Sequence, residues 1–593
     1  MNNSRRMEKL SRSLTIVKTN NGILIEWRSL GTDNKNTTFK LYKNHVLIKE
    51  INKEDQTNYL DQNGYYNEQY MLETYKNNKL VETSYPERII NNINEDSSGA
   101  FFDIPIERPE EETMPDGRET QYLASDGALG DVDGDGEYEI ILKWNPSNIK
   151  DNSEDGYTGN VFIDCYKMNG KKLWRIDLGQ NIRAGAHYTQ MMVYDLDGDN
   201  KAEVVLKTSD KTIDGLGNII GDNKEEERPN KLQLLEKSEY LTLFDGETGK
   251  ALDSILYEPR RGNISEWGDD TGNRSERNLA TIAYLNGKTP SLVMIRGYYE
   301  KIEAVAYNVV NKKLIKKWRF NSKDNTESDK ATSNGNHQVI AADIDNDLKD
   351  EIILGSTVID DNGKIKYSTS LGHGDQLHVG DFIKENKGLE IFMCHENKDI
   401  GYGISLRDAK TGKILFRNTG EEDANRCIID NIKENEVYMS GAHNYKLYDT
   451  KGEYIDEWYN KITTDINSLI YWDGDLQREL LDGTRIEKIE NGVLFEGKDV
   501  ISINNTKNNA VLSADIFGDW REEVIYPTKN QTNLRVFTTT YETKYKINTL
   551  MHNPLYRIGV ANQNVGYNIS PHLDYYLEED QLNNTENKIY TTN

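Results

Sequence analysis

The apolar residues of this chain fall mostly in short runs that alternate with polar ones, and long amphipathic helical patterns are scarce. Between Leu14 and Val81 the runs L-T-I-V-K, G-I-L-I-E-W, T-F-K-L-Y-K, V-L-I-K-E, Y-M-L-E-T-Y and V-E-T-S-Y are separated by Asn, Gly and Asp. Alternation with period two, bounded by turn residues, is the signature of half-buried strands. Six or seven such strands predict a small fibronectin type III-like β-sandwich over residues 1–88. Residues 89–120 are rich in proline and acid and read as a linker. From Gln121 the β pattern repeats around the centres M-N-G-K, F-D-G-E-T-G-K, D-D-N-G-K and D-A-K-T-G-K. These supply residues that tolerate positive φ, which is hairpin chemistry. Meanders repeated without helices predict a β-propeller over residues 121–593. Blades of about 50–60 residues, longer than most propeller repeats, make seven or eight of them, and we take eight. The expected fold class is all-β.

One phrase recurs three times within that pattern. D-V-D-G-D-G-E-Y-E starts at Asp131, D-L-D-G-D-N-K-A-E at Asp195 and D-I-D-N-D-L-K-D-E at Asp343, each followed by a β-branched and aliphatic strand. The copies align Asp131, Asp133, Asp135 and Glu139 with Asp195, Asp197, Asp199 and Glu203, and with Asp343, Asp345, Asp347 and Glu351. Glu137, Lys201 and Lys349 share one further position and are counted in the same ion loops. Carboxylates this close repel one another, and a hard divalent cation with roughly six to eight oxygen ligands relieves the repulsion. Calcium suits a flexible all-oxygen loop better than magnesium. The phrase is not an EF-hand, whose longer loop closes on a bidentate Glu; here the Glu comes earlier and opens a strand. A calcium-braced propeller, with each ion tying one strand to the next, is the expectation. Weaker versions pair Asp381 with Glu390, Asp430 with Glu436, Asp473 with Asp475, and Asp515 with Glu523.

Composition narrows the partners. The 593 residues carry 99 acidic and 72 basic side chains, a net charge of −27, which argues against nucleic acid. No run approaches the ~18 apolar residues of a membrane span, and M-N-N-S-R-R-M-E-K-L lacks the apolar core of an export signal. A soluble, cytoplasmic protein is therefore expected, or a secreted one if a signal has been removed; a monomer is the default, since the residues do not encode oligomeric state legibly. The scattered Cys165, Cys394 and Cys427 form neither a disulfide framework nor a zinc motif.

Only nine histidines occur, and several stand beside acids. G-N-H-Q holds His337, G-H-G-D-Q-L-H-V-G-D holds His373, Asp375, His378 and Asp381, and C-H-E-N holds His395 and Glu396. In a propeller the starts of the inner strands meet at the axis. His337, His373, Asp375 and Glu396 are thus candidates for a mixed nitrogen and oxygen shell around one ion. Imidazole also takes zinc and other transition metals, so the residues leave the metal open. A hydrogen-bonded structural role is the plain alternative for each histidine.

The strings S-D-G-A-L-G-D-V-D-G-D-G-E-Y-E-I-I-L-K-W, I-R-A-G-A-H-Y-T-Q, R-G-N-I-S-E-W-G-D, L-G-H-G-D-Q-L-H-V-G-D, Y-W-D-G-D-L-Q-R-E-L and L-M-H-N-P-L-Y-R-I-G-V-A-N-Q-N resemble the rhamnogalacturonan lyases of polysaccharide lyase family 11. The resemblance runs from about Leu10 to Tyr576. It implies an eight-bladed, calcium-rich propeller behind a small β-domain. It also implies β-elimination on the rhamnose–galacturonate backbone of pectic rhamnogalacturonan I, leaving unsaturated galacturonate ends. Several calcium ions are implied, mostly structural, with at least one at the active site beside Asp126, His337, His373, Asp375 and Glu396. That chemistry is coherent. The C5 proton of a uronate is a poor acid, a cation on the carboxylate stabilises the developing charge, and a base removes the proton.

Lys507, in I-N-N-T-K-N-N, is the candidate base, because a cation-lined pocket lowers a lysine pKa whereas arginine stays protonated. Arg426 is the candidate for gripping a uronate carboxylate or stabilising the transition state. Asn504, Asn505 and Thr506 lie where the family binds sugar; its pattern is closer to N-G-T-K, so Asn505 stands in for a glycine. Ser125 and Asn145 stand where relatives tend to show Asn and Asp, and are expected among the substrate contacts. Tyr567 is expected to stack on a sugar ring. Two other readings stay open: a calcium-stabilised carbohydrate-binding or adhesive propeller without turnover, and a quinone-dependent dehydrogenase propeller suggested by the D-A-K-T-G-K hairpin alone. A purely structural propeller needs neither the histidine cluster nor Lys507 and Arg426.

Overall fold

The structure, a computed structural model, describes residues 4–95, 98–223, 228, 239–434, 436–458, 461–489, 491–579, 582 and 588–592. Two four-stranded sheets form the N-terminal β-domain. One has the order Asn58–Asp61, Gly22–Glu26, Thr15–Thr19, Arg88–Ile90; the other Val46–Ile51, Thr37–Lys43, Tyr70–Lys76, Lys79–Ser84. Alternation along Thr37–Lys43 turns Phe39 and Leu41 inward, where they join Ile16, Ile23, Ile25 and Trp27 in one core.

Eight antiparallel sheets follow in chain order. Their first strands are Tyr122–Gly130, Met192–Tyr194, Asn278–Ala283, Ile340–Ala342, Gly374–Gly380, Cys427–Lys433, Ser468–Ile470 and Leu512–Ala514, and we number blades 1–8 by them. The first strands pack in succession from blade 1 to blade 6, and that of blade 8 packs on that of blade 1; the Arg478 N–H donates to the Asn431 carbonyl and the Glu522 N–H to the Tyr471 carbonyl, which join blades 6, 7 and 8 and close the ring. These inner strands are buried along their length, as in Ile340–Ala342, whereas an outer strand such as Lys313–Asn321 is largely exposed.

Blade 8 contributes three strands of its own, ending at Asn533–Thr539. Its next strand is Gly99–Pro105, antiparallel to Asn533–Thr539 with Phe101 opposite Phe537, and Asn92–Asn94 lies beyond it. This part of the expected linker over 89–120 is therefore corrected: it is a blade strand. Phe101 and Phe537 hold it with ring centroids 5.6 Å apart. Sharing one sheet between distant parts of the chain covers an edge that would otherwise be free.

The helix Pro554–Ala561 is buried along its whole length and touches the first strands of blades 1 to 4. Asn553 caps it by accepting the Tyr556 N–H, and Pro554 occupies the first turn. Arg557 donates twice to Glu8 and also to the Leu129 and Val193 carbonyls. Just beyond, Asn562, Gln563 and Asn564 donate to the Val339, Ser513 and Met191 carbonyls, three separate blades. A helix buried all round shows no amphipathic stripe, which is why the apolar pattern did not announce this plug. Among the described residues no helix is long and apolar enough to cross a membrane.

Glu137 joins the sandwich to blade 1. Its carboxylate meets Arg88 at 2.6 Å, Arg28 at 3.3 Å and the Ser13 hydroxyl at 2.9 Å. Burial pushes this carboxyl up, but Arg88 and Arg28 outweigh it and hold it at about 2. The side chain expected in an ion loop thus docks the β-domain instead.

Candidate active site

Blades 1, 4, 5 and 8 converge on one cavity of about 340 Å³. Blade 1 lines it with Asp126 and Asn145, the entry to blade 4 with His337, blade 5 with Asp375 and Glu396, the entry to blade 8 with Asn504, Asn505 and Lys507, and the segment after the axial helix with Tyr567. Two bulges aim the aspartates. Register shifts between Ala124 and Gly127 in blade 1, and between Gly374 and Leu377 in blade 5. Such extra residues kink a strand and re-aim a side chain, which frees Asp126 and Asp375 from the in-and-out alternation of their strands.

His337 Nε2 lies 3.6 Å from Asp375 Oδ1 and 3.8 Å from Glu396 Oε2, and His373 Nε2 lies 3.3 Å from Glu396 Oε2. One ligand-type atom each from His337, His373 and Glu396 falls within 4.8 Å of the others. The hydroxyls of Tyr298 and Tyr299 orient His337, at 3.0 Å from Nδ1 and 3.1 Å from Nε2. Both ring nitrogens of His373, Asp375 Oδ2 and Glu396 Oε2 are buried without a hydrogen-bond partner. Buried polar atoms are nearly always satisfied, so unmatched atoms on His373, Asp375 and Glu396 fit a cation with nitrogen and oxygen ligands, one nitrogen per imidazole. Burial pushes Asp375 well above the carboxylate range, with Asp423 and Glu396 adding to it. The His337 and His373 imidazoles beside it hold Glu396 well below. Burial lowers His337 well below its usual value, which favours the neutral, ligating imidazole.

Asp126, expected in the same shell, is matched by protein donors. Lys143 Nζ stands 2.5 Å away, and Asn504 and Asn568 donate to Oδ1 at 2.9 and 3.0 Å. Asn145 donates to the Ser125 hydroxyl at 2.9 Å, so these two hold each other, and Asn145 alone reaches the cavity wall.

The loop before blade 8 is shaped by asparagines. Asn504, Asn505 and Asn508 have φ of 61°, 46° and 56°, around the short turn Asn505–Lys507. Asn tolerates this left-handed region better than most residues, so Asn505 keeps a conformation that a glycine would adopt freely. Lys507 Nζ then stands 3.0 Å above the ring centroid of Tyr567, a cation–π contact. His337 stacks on the same tyrosine with centroids 4.8 Å apart and planes 6° apart. Tyr567, expected to stack on a sugar ring, thus lies between the amine and the histidine cluster. Burial lowers Lys507 to about 8, with Asp375 opposing and Arg426 assisting the drop.

Arg426, expected to grip a uronate carboxylate or stabilise the transition state, stands against the loop that carries Lys507. Its Nη1 donates to the Lys507 carbonyl and its Nη2 to the Thr506 carbonyl, each at 3.0 Å, and Nη1 donates to Asn467 Oδ1 as well. The guanidinium clamps the loop that carries Lys507 and does not line the cavity. Sequence reasoning missed Arg277, Tyr299, His187 and Lys143. Arg277 and Tyr299 line the cavity with 5.5 Å between guanidinium carbon and ring centroid. A signal existed only for Lys143, a lysine inside the apolar run I-I-L-K-W.

The acidic phrases form the expected loops away from the cavity. Asp131, Asp133 and Glu139, Asp195, Asp197 and Asp199, and Asp343, Asp345 and Asp347 each bring carboxylate oxygens within 4.8 Å of one another. Gly134, Gly198 and Asn346 turn the three copies through φ of 81°, 88° and 65°. A shared latch recurs in six blades. The closing Glu accepts the N–H that follows the first loop position: Glu139 from Val132, Glu203 from Leu196, Glu351 from Ile344, Glu390 from Phe382, Glu479 from Trp472 and Glu523 from Ile516. The side chain of Lys201 pairs with Glu247, and that of Lys349 with Asp347 and Asp361. Asp381 retains an unmatched Oδ1 beside its latch.

Two weaker phrases meet protein donors. Asp430 stands 3.0 Å from His572 Nδ1 and 3.2 Å from Arg478, while Glu436 is exposed. Asp515 accepts from the Thr549 hydroxyl and the Leu550 N–H, Glu523 from the Thr538 hydroxyl, and Arg521 pairs with Asp519 and Glu26. Protein donors reach both places, and Asp515 Oδ1 stays unmatched.

Residues 101–587 match the model of rhamnogalacturonan lyase family 11, C-terminal domain, and residues 5–90 that of the rhamnogalacturonan I lyases beta-sheet domain. The rhamnogalacturonan exolyase YesX of Bacillus subtilis (strain 168) is 47% identical over 97% of this chain and 95% of its own length. The rhamnogalacturonan endolyase YesW of the same organism is 45% identical over 99% and 94%. The crystal structure of the exotype lyase YesX superposes with a TM-score of 0.94 at 45% identity, covering 99% of both chains. That of a Bacillus licheniformis rhamnogalacturonan lyase gives 0.93 at 44%, covering 99% of this chain and 100% of the other.

Proposed function

The chain belongs to rhamnogalacturonan lyase family 11, and on that premise we propose how its axial cavity works. It is a polysaccharide lyase that cleaves the backbone of rhamnogalacturonan. The substrate is pectic rhamnogalacturonan I, cut by β-elimination to leave unsaturated galacturonate ends. One observation carries the reading: unmatched buried atoms of His373, Asp375 and Glu396, grouped with His337, lie one tyrosine ring away from a buried lysine amine.

Those four residues would hold calcium, which when bound draws charge from a uronate carboxylate and makes the neighbouring C5–H more acidic. Lys507, with its pKa lowered toward neutrality, takes the C5 proton. The C–H electron pair becomes the C4–C5 double bond, the C4–O bond to the next sugar breaks, and the departing oxygen takes up a proton. Arg426 and the left-handed turn fix the backbone of Lys507, and Tyr567 separates the amine from the imidazoles without letting it wander. Asn504 and Asn568, donating to Asp126, set that wall of the cavity for sugar hydroxyls. In this reading residues 1–88 form a docked β-domain and the chemistry belongs to the propeller. Calcium also braces outer loops, foremost that of Asp195, Asp197, Asp199 and Glu203.

The test is absorbance of the unsaturated uronate with rhamnogalacturonan I as substrate. Growth of that signal, lost on chelation and restored by calcium, is expected. Sugar binding with no new unsaturation would support the non-catalytic propeller instead.

A further inference from the structure

A base must be neutral to act, and Arg426 is spent on the Thr506 and Lys507 carbonyls. The cavity keeps one permanent cation besides these. Arg277 is the one guanidinium among the described residues that line it. It stands just before the first strand of blade 3, Asn278–Ala283, and its side chain is only 10% exposed. Arginine stays charged when buried, unlike lysine. Other buried arginines meet buried carboxylates, as Arg296 meets Glu239 and Arg557 meets Glu8, each at 2.7 Å. Arg277 has no such partner. The carboxylate it faces is Asp151 Oδ1 at 3.8 Å, on a side chain 47% exposed, and that oxygen already accepts from the Ser153 N–H and hydroxyl. Arg183 and Arg407 likewise meet no acid among the described residues, but backbone carbonyls hold them and neither lines this cavity.

Neutral groups hold the guanidinium in place. Nε and Nη2 both donate to Asn273 Oδ1, at 3.1 and 2.9 Å, and Nη1 donates to the Tyr298 hydroxyl at 3.3 Å. One N–H on each terminal nitrogen is left over. The two terminal nitrogens of a guanidinium form the fork that takes both oxygens of a carboxylate. Tyr299 supports the fork, with 5.5 Å between guanidinium carbon and ring centroid. The fork is also tied to the histidine cluster, because the Tyr298 hydroxyl that meets Nη1 stands 3.0 Å from His337 Nδ1. Its neutral partners thus fix its plane and leave its charge unmatched.

We propose that Arg277 grips a galacturonate carboxylate of the bound chain and sets the preference of this cavity for an acidic sugar. The inference rests on the lyase reading and deepens it. A buried charge with only neutral partners is poorly compensated in the free protein, and a carboxylate arriving with the substrate supplies the missing counter-charge. A bidentate pair also fixes the plane of that carboxylate, which orients the sugar toward the amine of Lys507. A sugar with a hydroxymethyl group in place of the carboxylate gains neither effect. The carboxylate belongs to the reacting galacturonate or to a neighbour along the chain, and kinetics separate the two.

The experiment compares Arg277→Met with the unsubstituted, calcium-loaded protein. It measures turnover on rhamnogalacturonan I, calcium content, thermal midpoint and, by calorimetry, binding of a galacturonate–rhamnose disaccharide and of its carboxyl-reduced form. That disaccharide carries no sugar on C4 of its galacturonate and so cannot be cut. Arg277→Met keeps its calcium and loses about 30-fold or more in kcat/KM, the usual effect of removing one partner of a buried charge pair. Its preference for the acidic over the reduced disaccharide shrinks by about tenfold or more. Arg277→Lys, which keeps the charge without the fork, falls between. Tyr298→Phe, which removes the hydroxyl between Arg277 and His337, lowers turnover and keeps the preference. A loss in kcat on substrates of every length places the carboxylate on the reacting sugar. A loss in KM that vanishes for the shortest cleavable oligosaccharide places it on a neighbour. An undiminished preference in Arg277→Met overturns the proposal, as does a loss equal for both disaccharides that comes with a lost ion. If Arg277→Met does not fold, the preference of Arg277→Lys decides by the same measure. Absence of unsaturated uronate from the unsubstituted protein overturns the lyase reading instead, while the binding preference still reports on Arg277.

Discussion

The axial cluster and the acidic loop of blade 1 gather similar side chains and settle their charge in opposite ways. In blade 1 an ammonium stands among the carboxylates. At the axis His373, Asp375 and Glu396 each carry a buried atom without a hydrogen-bond partner. An internal cation braces permanently and offers nothing to a ligand. A set of donors left open to an exchangeable ion also leaves coordination positions for substrate oxygens, which is what Lewis-acid chemistry requires. The lesson is that the number of acids in a cluster does not separate bracing from chemistry. Imidazoles mixed with carboxylates beside a buried amine do, since Asp133 Oδ1 in the blade 1 loop is unmatched as well.

That contrast breaks most completely at the amine. Lys507→Ala lowers kcat by about 10²–10⁴-fold, the usual contribution of a general base, while ion content and thermal midpoint stay where they were. Undiminished formation of unsaturated uronate by this variant would remove the amine from the mechanism. Next comes the open side of the cluster. His373→Ala loses one bound calcium and roughly 10²–10³-fold in turnover. It costs little stability, because neither ring nitrogen has a hydrogen bond to lose. A variant that keeps both its ions and its rate shows that the cluster does not ligate.

Arg426 sharpens the boundary between chemistry and support. Since its guanidinium holds the Thr506 and Lys507 carbonyls, Arg426→Met lowers kcat by up to about 100-fold through misplacement of the amine, with KM little changed. A raised KM at constant kcat would return this residue to substrate binding. The smallest effect is a profile. Lys507 acts only when neutral, and burial brings it to about 8. So kcat/KM rises with pH through that value and levels off above it, and a cation beside Asp375 moves the limb lower. Lys507→Arg removes the limb together with the activity, because arginine stays charged. A rate that falls over this interval contradicts the assignment.

Much of the scaffold was legible in the chain. Period-two runs and glycine or asparagine turn centres mark strands because alternation and positive φ act within a few residues. The acidic phrases mark their loops because the Asp turn and the Glu latch close over a short stretch, as between Val132 and Glu139. His337, His373, Asp375 and Glu396 stood out for the same reason: the starts of inner strands meet wherever blades surround an axis.

Other features depended on partners far away in the chain. Lys167 reaches Asp133 from the third strand of its blade, Arg426 reaches the Lys507 carbonyl across 81 positions, and Gly99–Pro105 completes a sheet with Asn533–Thr539. Whether an acid meets a lysine, an asparagine or an open site is set by strand register and ring closure. The chain by itself determined which segments become strands and turns and which residues carry the chemistry, because those forces are local. Only the folded ring decided which carboxylates stay unmatched, because electrostatic neutralisation is settled by neighbours in space.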